Sequence, residues 1–562
     1  MKKGIFLLGF FILSVALCHA FNSSWERYGW PEQKSPKELI ICKQTNRKAE
    51  SMLLESLSGL AAKAVNEGRF DKMVWIQTNN TSYERILDES LDALRIQKVT
   101  YMDMWELLAY LKRQKIVKGY VLYELESERK EKISNYSSNI ATVYASLLSG
   151  VLIDSSLQER ASMYGLKKLK DARRESTAEC FKKNKQKLNN SSALSIHPSV
   201  SNMRDYAIAH GLMLYADEKE VIDDILAWVK PLSPILGWGC GDEFEFTKLA
   251  SEWGHFNTAS DWCTNLPFIS AAAPNIPLKK VKEIAPEEIN FSDTTYVHSF
   301  VMSDGDNMQW TMGSFVDNLN YLGHSRATSE GINWTLCPAN LAVISPVSWN
   351  AIVEKQGKAS YIEYGGGYQY PDLFAIKREN RKELLREFAK RLNYFLQKTG
   401  VKIFGVICQD VDSPEAQEAF QIYAEELTGI TGMIAIQYAP YELGKNLFWY
   451  SNGEGVQIPV LTATFSLWNE VSNQRPNCGT PEYISSLVNR DEKLATNKER
   501  YSWTIVHAWS DFSETSKSSS KEAIGVNPIL VTQKLLSDNV KMVSLNELLW
   551  RLRMKYYPNQ LR

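Results

Sequence analysis

The second half of the sequence sets five carboxyl groups just after strand-like runs: Asp304 and Asp306 in "SDGDN", Glu363 in "EYGGGYQYP", and Asp410 and Asp412 in "QDVDS". Such groups can share acid and base work, and hydrolysing a glycosidic bond needs one carboxylic acid to protonate the leaving oxygen and a second carboxylate as nucleophile or base. We read Asp306 and Asp410 as the working pair, with Asp304, Glu363 and Asp412 as further candidates. His507 would orient a carboxylate or hydrogen-bond a sugar hydroxyl. Each acid alone has a plainer reading, since Asp-Gly-Asp is a common turn and an acid before a helix is a common cap. Their shared position, each just after a strand-like run, sets them apart.

The glycine-rich stretch carries binding chemistry of its own. Gly365, Gly366 and Gly367 permit positive φ and let backbone approach a ligand closely. Tyr368 and Tyr370, two apart in extended chain, project to one side, and Pro371 stiffens the exit. This predicts a tyrosine platform for a sugar, against the alternative of a tight turn with its tyrosines packed on a neighbouring helix. Gln409, Tyr438, Trp468 and Trp509 follow other strand-like runs and join the predicted binding set. Trp238, Glu243, Asp261 and Trp262 cluster earlier in the same chemical style. They are expected to complete the pocket from a neighbouring domain.

These residues need strands to position them. From residue 294 onward the runs "YVHSFVMSD", "NLAVISP", "ASYIEYGG", "VKIFGVICQD", "GMIAIQYAP", "IPVLTATFSLW", "YSWTIVHAW" and "VKMVSL" alternate with helical patterns. Seven or eight β-α units predict a C-terminal (β/α) barrel-like domain over 294–562, with ligands at the carboxyl ends of the strands. An open doubly wound sheet is the alternative. Apolar runs such as "ELIICK", "KMVWIQT" and "VKGYVLYE" predict an N-terminal α/β domain with a mostly parallel sheet over 21–273. The polar stretch "FKKNKQKLNNSSALS" reads as an exposed loop, and residues 274–293 as a linker. Ser413-Pro414 and Thr480-Pro481 are expected helix starts.

The 562 residues carry 64 basic and 65 acidic side chains, a balance that argues against nucleic acid as the main partner. Sixteen Trp, 26 Tyr and 21 Phe are a generous supply of faces for flat ligands. Lys2 and Lys3, an apolar run and Cys18-His-Ala20 predict a signal peptide over 1–20 and export to the periplasm, cell surface or exterior, with no transmembrane segment. Lipidation at Cys18 stays open, as does use of eight Asn-x-Ser/Thr sites beginning at Asn22. Seven cysteines remain without a CxxC pair, and a Cys240–Cys263 bridge is one option.

No cofactor or metal is expected. The six histidines beyond the signal segment form no HxxxH or HxH pair, which disfavours a zinc-dependent carbohydrate deacetylase. The spacing at Asp304 departs from a calcium loop, and the absence of G-x-S-x-G disfavours a serine nucleophile. A non-catalytic glycan-binding protein remains the alternative from another class.

Gly365-Gly-Gly367-Tyr368-Gln-Tyr370-Pro371 matches GxGYxYP, and "FVMSDGDNMQW", "VHAWS", "PILGWGCGDEFEFTKLASEWG" and "ASDWCTN" accompany it. On these segments the chain resembles the GxGYxYP family, grouped with the glycoside hydrolases by inference. The resemblance covers nearly all of the chain beyond the signal segment. It implies an N-terminal α/β domain, a C-terminal barrel-like domain and a carbohydrate substrate, but brings no assignment of catalytic residues.

Overall fold

The computed structural model describes residues 27–125, 136–329, 332–439, 441–469, 475–514 and 523–560. The predicted signal segment, Cys18 and Asn22 lie outside the described residues. Among the described residues, no helix is long and apolar enough to cross a membrane.

Among the described residues, the first half holds three small parallel sheets rather than one. Strands β1 (Glu38–Lys43), β2 (Lys72–Gln77) and β3 (Lys98–Tyr101) run in the order β2-β1-β3. Strands β4 (Gly119–Tyr123), β5 (Gly150–Asp154) and β6 (Lys168–Asp171) take the order β5-β4-β6. Strands β7 (Ala193–Ser195), β8 (Met213–Tyr215), β9 (Pro234–Gly237) and β10 (Phe256–Thr258) take the order β10-β9-β7-β8. Helix Lys48–Asn66 contributes to the division. Its "ESLSGLAAKA" core is rich in small side chains and almost wholly buried, and it packs against both β2 and β5. The polar stretch at 181–195 is not one loop: helix Thr177–Asn184 runs into it and buried β7 closes it.

Among the described residues, the second half forms an 11-stranded sheet. Its strands are β11 (Tyr296–Met302), β12 (Ile332–Leu336), β13 (Tyr361–Tyr364), β14 (Ile403–Cys408), β15 (Gly432–Gln437), β16 (Leu447–Ser451), β17 (Gln457–Thr462), β18 (Phe465–Leu467), β19 (Cys478–Gly479), β20 (Tyr501–Val506) and β21 (Val540–Met542). The order is β16-β17-β15-β14-β13-β12-β11-β20-β18-β19, with β21 also on β11. Every pair is parallel except β16 with β17.

This sheet curls. Val297 and Val301, Ile403 and Ile407, Ile434 and Ile436, and Trp503 and Ile505 sit at even spacings, so each pair lies on one face of its strand. All join a single buried cluster, which is the concave side of the sheet. The extended run 457–467 bonds β15 through β17 and β20 through β18, linking two flanks of the curve. The parallel, helix-connected plan agrees with the α/β expectation, in a curled half-barrel.

One strand-like run of the second half is a helix, as is most of "NIATVYASLLSGVLI" in the first half, which reads as strand-like in sequence but forms helix Ser137–Leu148 before β5. "NLAVISP" falls in helix Pro338–Ile344, where Pro338 takes the first turn. The strand beside it is β12, "INWTL". Ser413 and Thr480 cap their helices through the amides of Ala416 and Tyr483, as their sequence context predicts. Residues 274–293 are fastened along the sheet: Trp349 donates to the Lys279 carbonyl at 2.8 Å, and Ser360 to the Glu283 carboxylate at 2.8 Å. Cys240 and Cys263 are both free thiols, so the optional bridge is absent.

Candidate functional site

A cavity of about 440 Å³ opens at the carboxyl ends of the curled sheet. Ile407, Ile436 and Ile505, the last inward residues of β14, β15 and β20, form an apolar floor. Above it stand Ser303, Asp304, Asp306 and Asn307 from the loop after β11, with Tyr364, Tyr438, Ser466, Trp468, His507 and Trp509 from later strand ends. Trp238, Glu243, Asp261, Trp262 and Tyr368 complete the wall. The first four follow β9 and β10, so both halves of the chain build one cavity. Among the described residues, no Lys or Arg lines it.

Local geometry aims the "SDGDN" loop. Asp304 adopts φ +67°, an uncommon conformation for a non-glycine residue. At Gly305 a Cβ would lie 1.7 Å from the Thr335 carbonyl oxygen, so the loop can pass β12 only without a side chain there. Asn307 then caps helix Met308–Met312. The Ser303 hydroxyl donates to Asp304, and the Ala508 amide approaches Asp304 Oδ2 at 3.4 Å.

Asp306 is half-buried in this loop, and its carboxyl is pushed well above the ordinary range, first by burial and then by the negative charge of Asp304. Glu243 is also raised, chiefly by burial, against the opposing effect of a 2.5 Å hydrogen bond donated by Tyr368. Burial raises Asp261 as well, while Gln309 opposes the shift. Gln309 in turn accepts from the Trp262 amide at 2.6 Å, tying the two walls together.

Aromatic rings shape the rest. Trp468 stacks on His507 at 4.1 Å with an 11° interplanar angle, and Tyr441 leans on Trp468 at 4.4 Å. Trp262 and Trp509 stand at the rim, 64% and 44% exposed.

The glycine-rich loop does something different from the predicted ligand cradle. Gly367 has φ +122°, and a Cβ there would come within 2.4 Å of the Phe256 ring. Its close approach is therefore to protein. Tyr368 exchanges backbone hydrogen bonds of 2.8 and 2.9 Å with Asn257, and the Tyr370 amide donates to Ser251. The loop docks the β10 region onto the large sheet. Of the expected tyrosine platform, Tyr368 faces the cavity, while Tyr370 is fully buried behind it, packed on Phe244 and Tyr438.

Three predicted acids and one amide stand away from the cavity lining. Glu363 is wholly buried below it, accepting from the Ala339 amide at 2.8 Å, and burial pushes its carboxyl up to about 8. Gln409, Asp410 and Asp412 are exposed in the turn after β14. There Asp372 accepts from the amides of Gln409 and Asp410 at 3.2 and 2.8 Å, and Asp410 accepts from the amide of Asp412 at 3.0 Å. This turn presents helix Pro414–Glu426. The proposed Asp306–Asp410 pair is thus not assembled in the cavity; the carboxylates gathered there are Glu243, Asp261, Asp304 and Asp306. Tyr364, Tyr441, Asn307, Gln309 and Ser466 were not in the predicted set. Tyr364, Asn307 and Ser466 stand at strand ends already singled out, whereas Tyr441 and Gln309 sit beyond them with no separate signal. Among the described residues, no group of three or more His, Cys, Asp or Glu side chains is arranged to hold a metal ion.

Comparison with known proteins agrees with this architecture. Residues 293–521 match the model described as "GxGYxYP putative glycoside hydrolase C-terminal domain", and residues 190–271 match the "GxGYxYP third domain". Together the two span more than half of the chain. No curated protein matches. The crystal structure of a "putative hydrolase" from Bacteroides thetaiotaomicron VPI-5482 superposes with a TM-score of 0.74 at 19% identity, covering 94% of this chain and 97% of that one. That likeness is one of fold. The protein belongs to the GxGYxYP family, named for the loop that docks its two halves.

Proposed function

We propose that the protein is an exported glycoside hydrolase in which Asp306 is the general acid and Asp304 the second carboxylate. The observation that carries this reading is the half-buried Asp306 carboxyl, held above the ordinary range by burial and by Asp304 within an aromatic-walled cavity. Two nearby acids in unequal environments can divide the labour of glycoside cleavage, one holding a proton and the other a charge. Asp304 receives the Ser303 hydroxyl and faces the Ala508 amide, two donors that fix its carboxyl group beside Asp306. Glu243, fixed by Tyr368, and the stacked Trp468–His507 pair would orient the sugar. Export rests on the N-terminal sequence pattern alone.

A glycan panel assayed with the wild type beside Asp306→Asn tests the assignment. Sugar release by the wild type alone is the expected result. Equal release by both removes Asp306 from the chemistry. Binding without release by either moves the protein to the glycan-binding class.

A further inference from the structure

A second, smaller cavity of about 160 Å³ lies against the first half of the chain, and Trp262 lines both it and the main cavity. Its walls include Glu55 from helix Lys48–Asn66, Thr78 just after β2, and Tyr83, Asn202 and Thr264. The volume is far above the ~15 Å³ that one water requires.

We propose that this cavity is a subsite for a neutral, hydroxyl-rich group, namely a further sugar unit of a saccharide that runs from the main cavity across Trp262. The proposal rests on the glycosidase reading of the main cavity. Three observations carry it. Besides Leu54, Ile76, Trp262 and Glu55, the wall is made of hydroxyls and amides, groups that can both donate and accept as a sugar hydroxyl does, and among the described residues it contains no Lys or Arg for an anion. Two of its hydroxyls have no partner: the Oγ1 atoms of Thr78 and Thr264 are buried without a hydrogen bond, and Thr264 is only 6% exposed. A buried hydroxyl without a partner costs stability, and a ligand in the cavity would supply one after a turn of the threonine side chain. Finally, Trp262 is positioned from both sides: its carbonyl accepts from Asn202 at 3.0 Å, and its amide donates to Gln309 at 2.6 Å. An exposed indole between two cavities, held at both polar ends of its backbone, is the bridge a saccharide would stack on.

Glu55 does not contradict a neutral ligand. It is 4% exposed and faces Asp205, and burial together with that neighbour pushes its carboxyl well up.

The test uses cello-, malto- and xylo-oligosaccharides of two to six units with the wild type, Thr264→Val and Thr78→Val. The wild type should gain kcat/KM at the chain length that passes Trp262. Each valine variant should lower the long-to-short ratio of kcat/KM by roughly three- to tenfold, the worth of one hydrogen bond. An unchanged ratio in both variants, with normal thermal unfolding, overturns the subsite. If no series is cleaved, the glycosidase reading fails separately. Tryptophan-fluorescence titration with the same series then decides: length-dependent binding weakened by both variants upholds the subsite, and equal or absent binding overturns it.

Discussion

Two loops of the large sheet carry nearly the same acidic pattern and meet different ends. "SDGDN" follows β11 and "QDVDS" follows β14, each with two aspartates two residues apart. The first enters the cavity because Gly305 slips past the Thr335 carbonyl and Asp304 turns through positive φ. The second has Val411 where the first has glycine, and Val411 is fully buried. Its amides are taken by Asp372, its Asp410 carboxylate turns back on Asp412, and Ser413 starts a helix. One loop spends its carboxylates on a cavity and the other on its own backbone. Residue type at a strand end is therefore not enough; the residue between the acids decides where they point.

The largest expected effect follows from the first loop. Asp306→Asn should reduce hydrolysis by about 10²–10⁴, the range for a lost general acid. Gly305→Ala should come next, destabilising the fold by ~3 kcal/mol because the new methyl meets a backbone carbonyl that cannot move aside; thermal unfolding reads this. A normal melt for that variant would show that the loop has another way past β12.

Tyr368→Phe removes the donor to Glu243 and should cost roughly tenfold in kcat/KM, the scale of a hydrogen bond to a charged group. Glu363 supplies a pH signature. Its folded-state value is raised from about 4.5 to about 8, so its neutral form is favoured in the fold. The resulting stability is fully present below the ordinary value and is lost as pH rises through about 8. Denaturant melts from pH 5 to 9 should show this decline, and Glu363→Gln should flatten it. The smallest effect belongs to the second loop: Asp410→Asn keeps the acceptor for the Asp412 amide and should stay within about 0.5 kcal/mol of wild-type stability.

The comparison also explains how far the sequence could be read. The β-α alternation and the placement of polar groups at strand ends were legible, because parallel strands are continuous apolar runs with ligands at their carboxyl ends. Asp304, Asp306, Tyr438, Trp468, His507 and Trp509 all came from that rule, and all line the cavity. "NLAVISP" was misread because a short apolar run fits a buried helix as well as a strand; Pro338, two residues upstream, was the available clue. Asp410 and Asp412 were misplaced because caps and active sites use the same residue types. The glycines of the GxGYxYP loop announced close approach correctly but not its partner, since the Phe256 ring lies over 100 residues away in the chain. The division of the first half into three sheets was hidden because each apolar strand looks alike in sequence whichever sheet it joins.

The pH dependence of kcat/KM for the wild type, Asp306→Asn and Asp410→Asn on one cleaved glycan decides between the two loops. Wild-type activity should fall as pH rises through the ionisation of Asp306, above the ordinary carboxylate range. Asp410→Asn should keep that limb at full height, and the residual activity of Asp306→Asn should lack it. A limb that survives in Asp306→Asn, or disappears in Asp410→Asn, would remove Asp306 from the role of general acid and return the chemistry to the other loop.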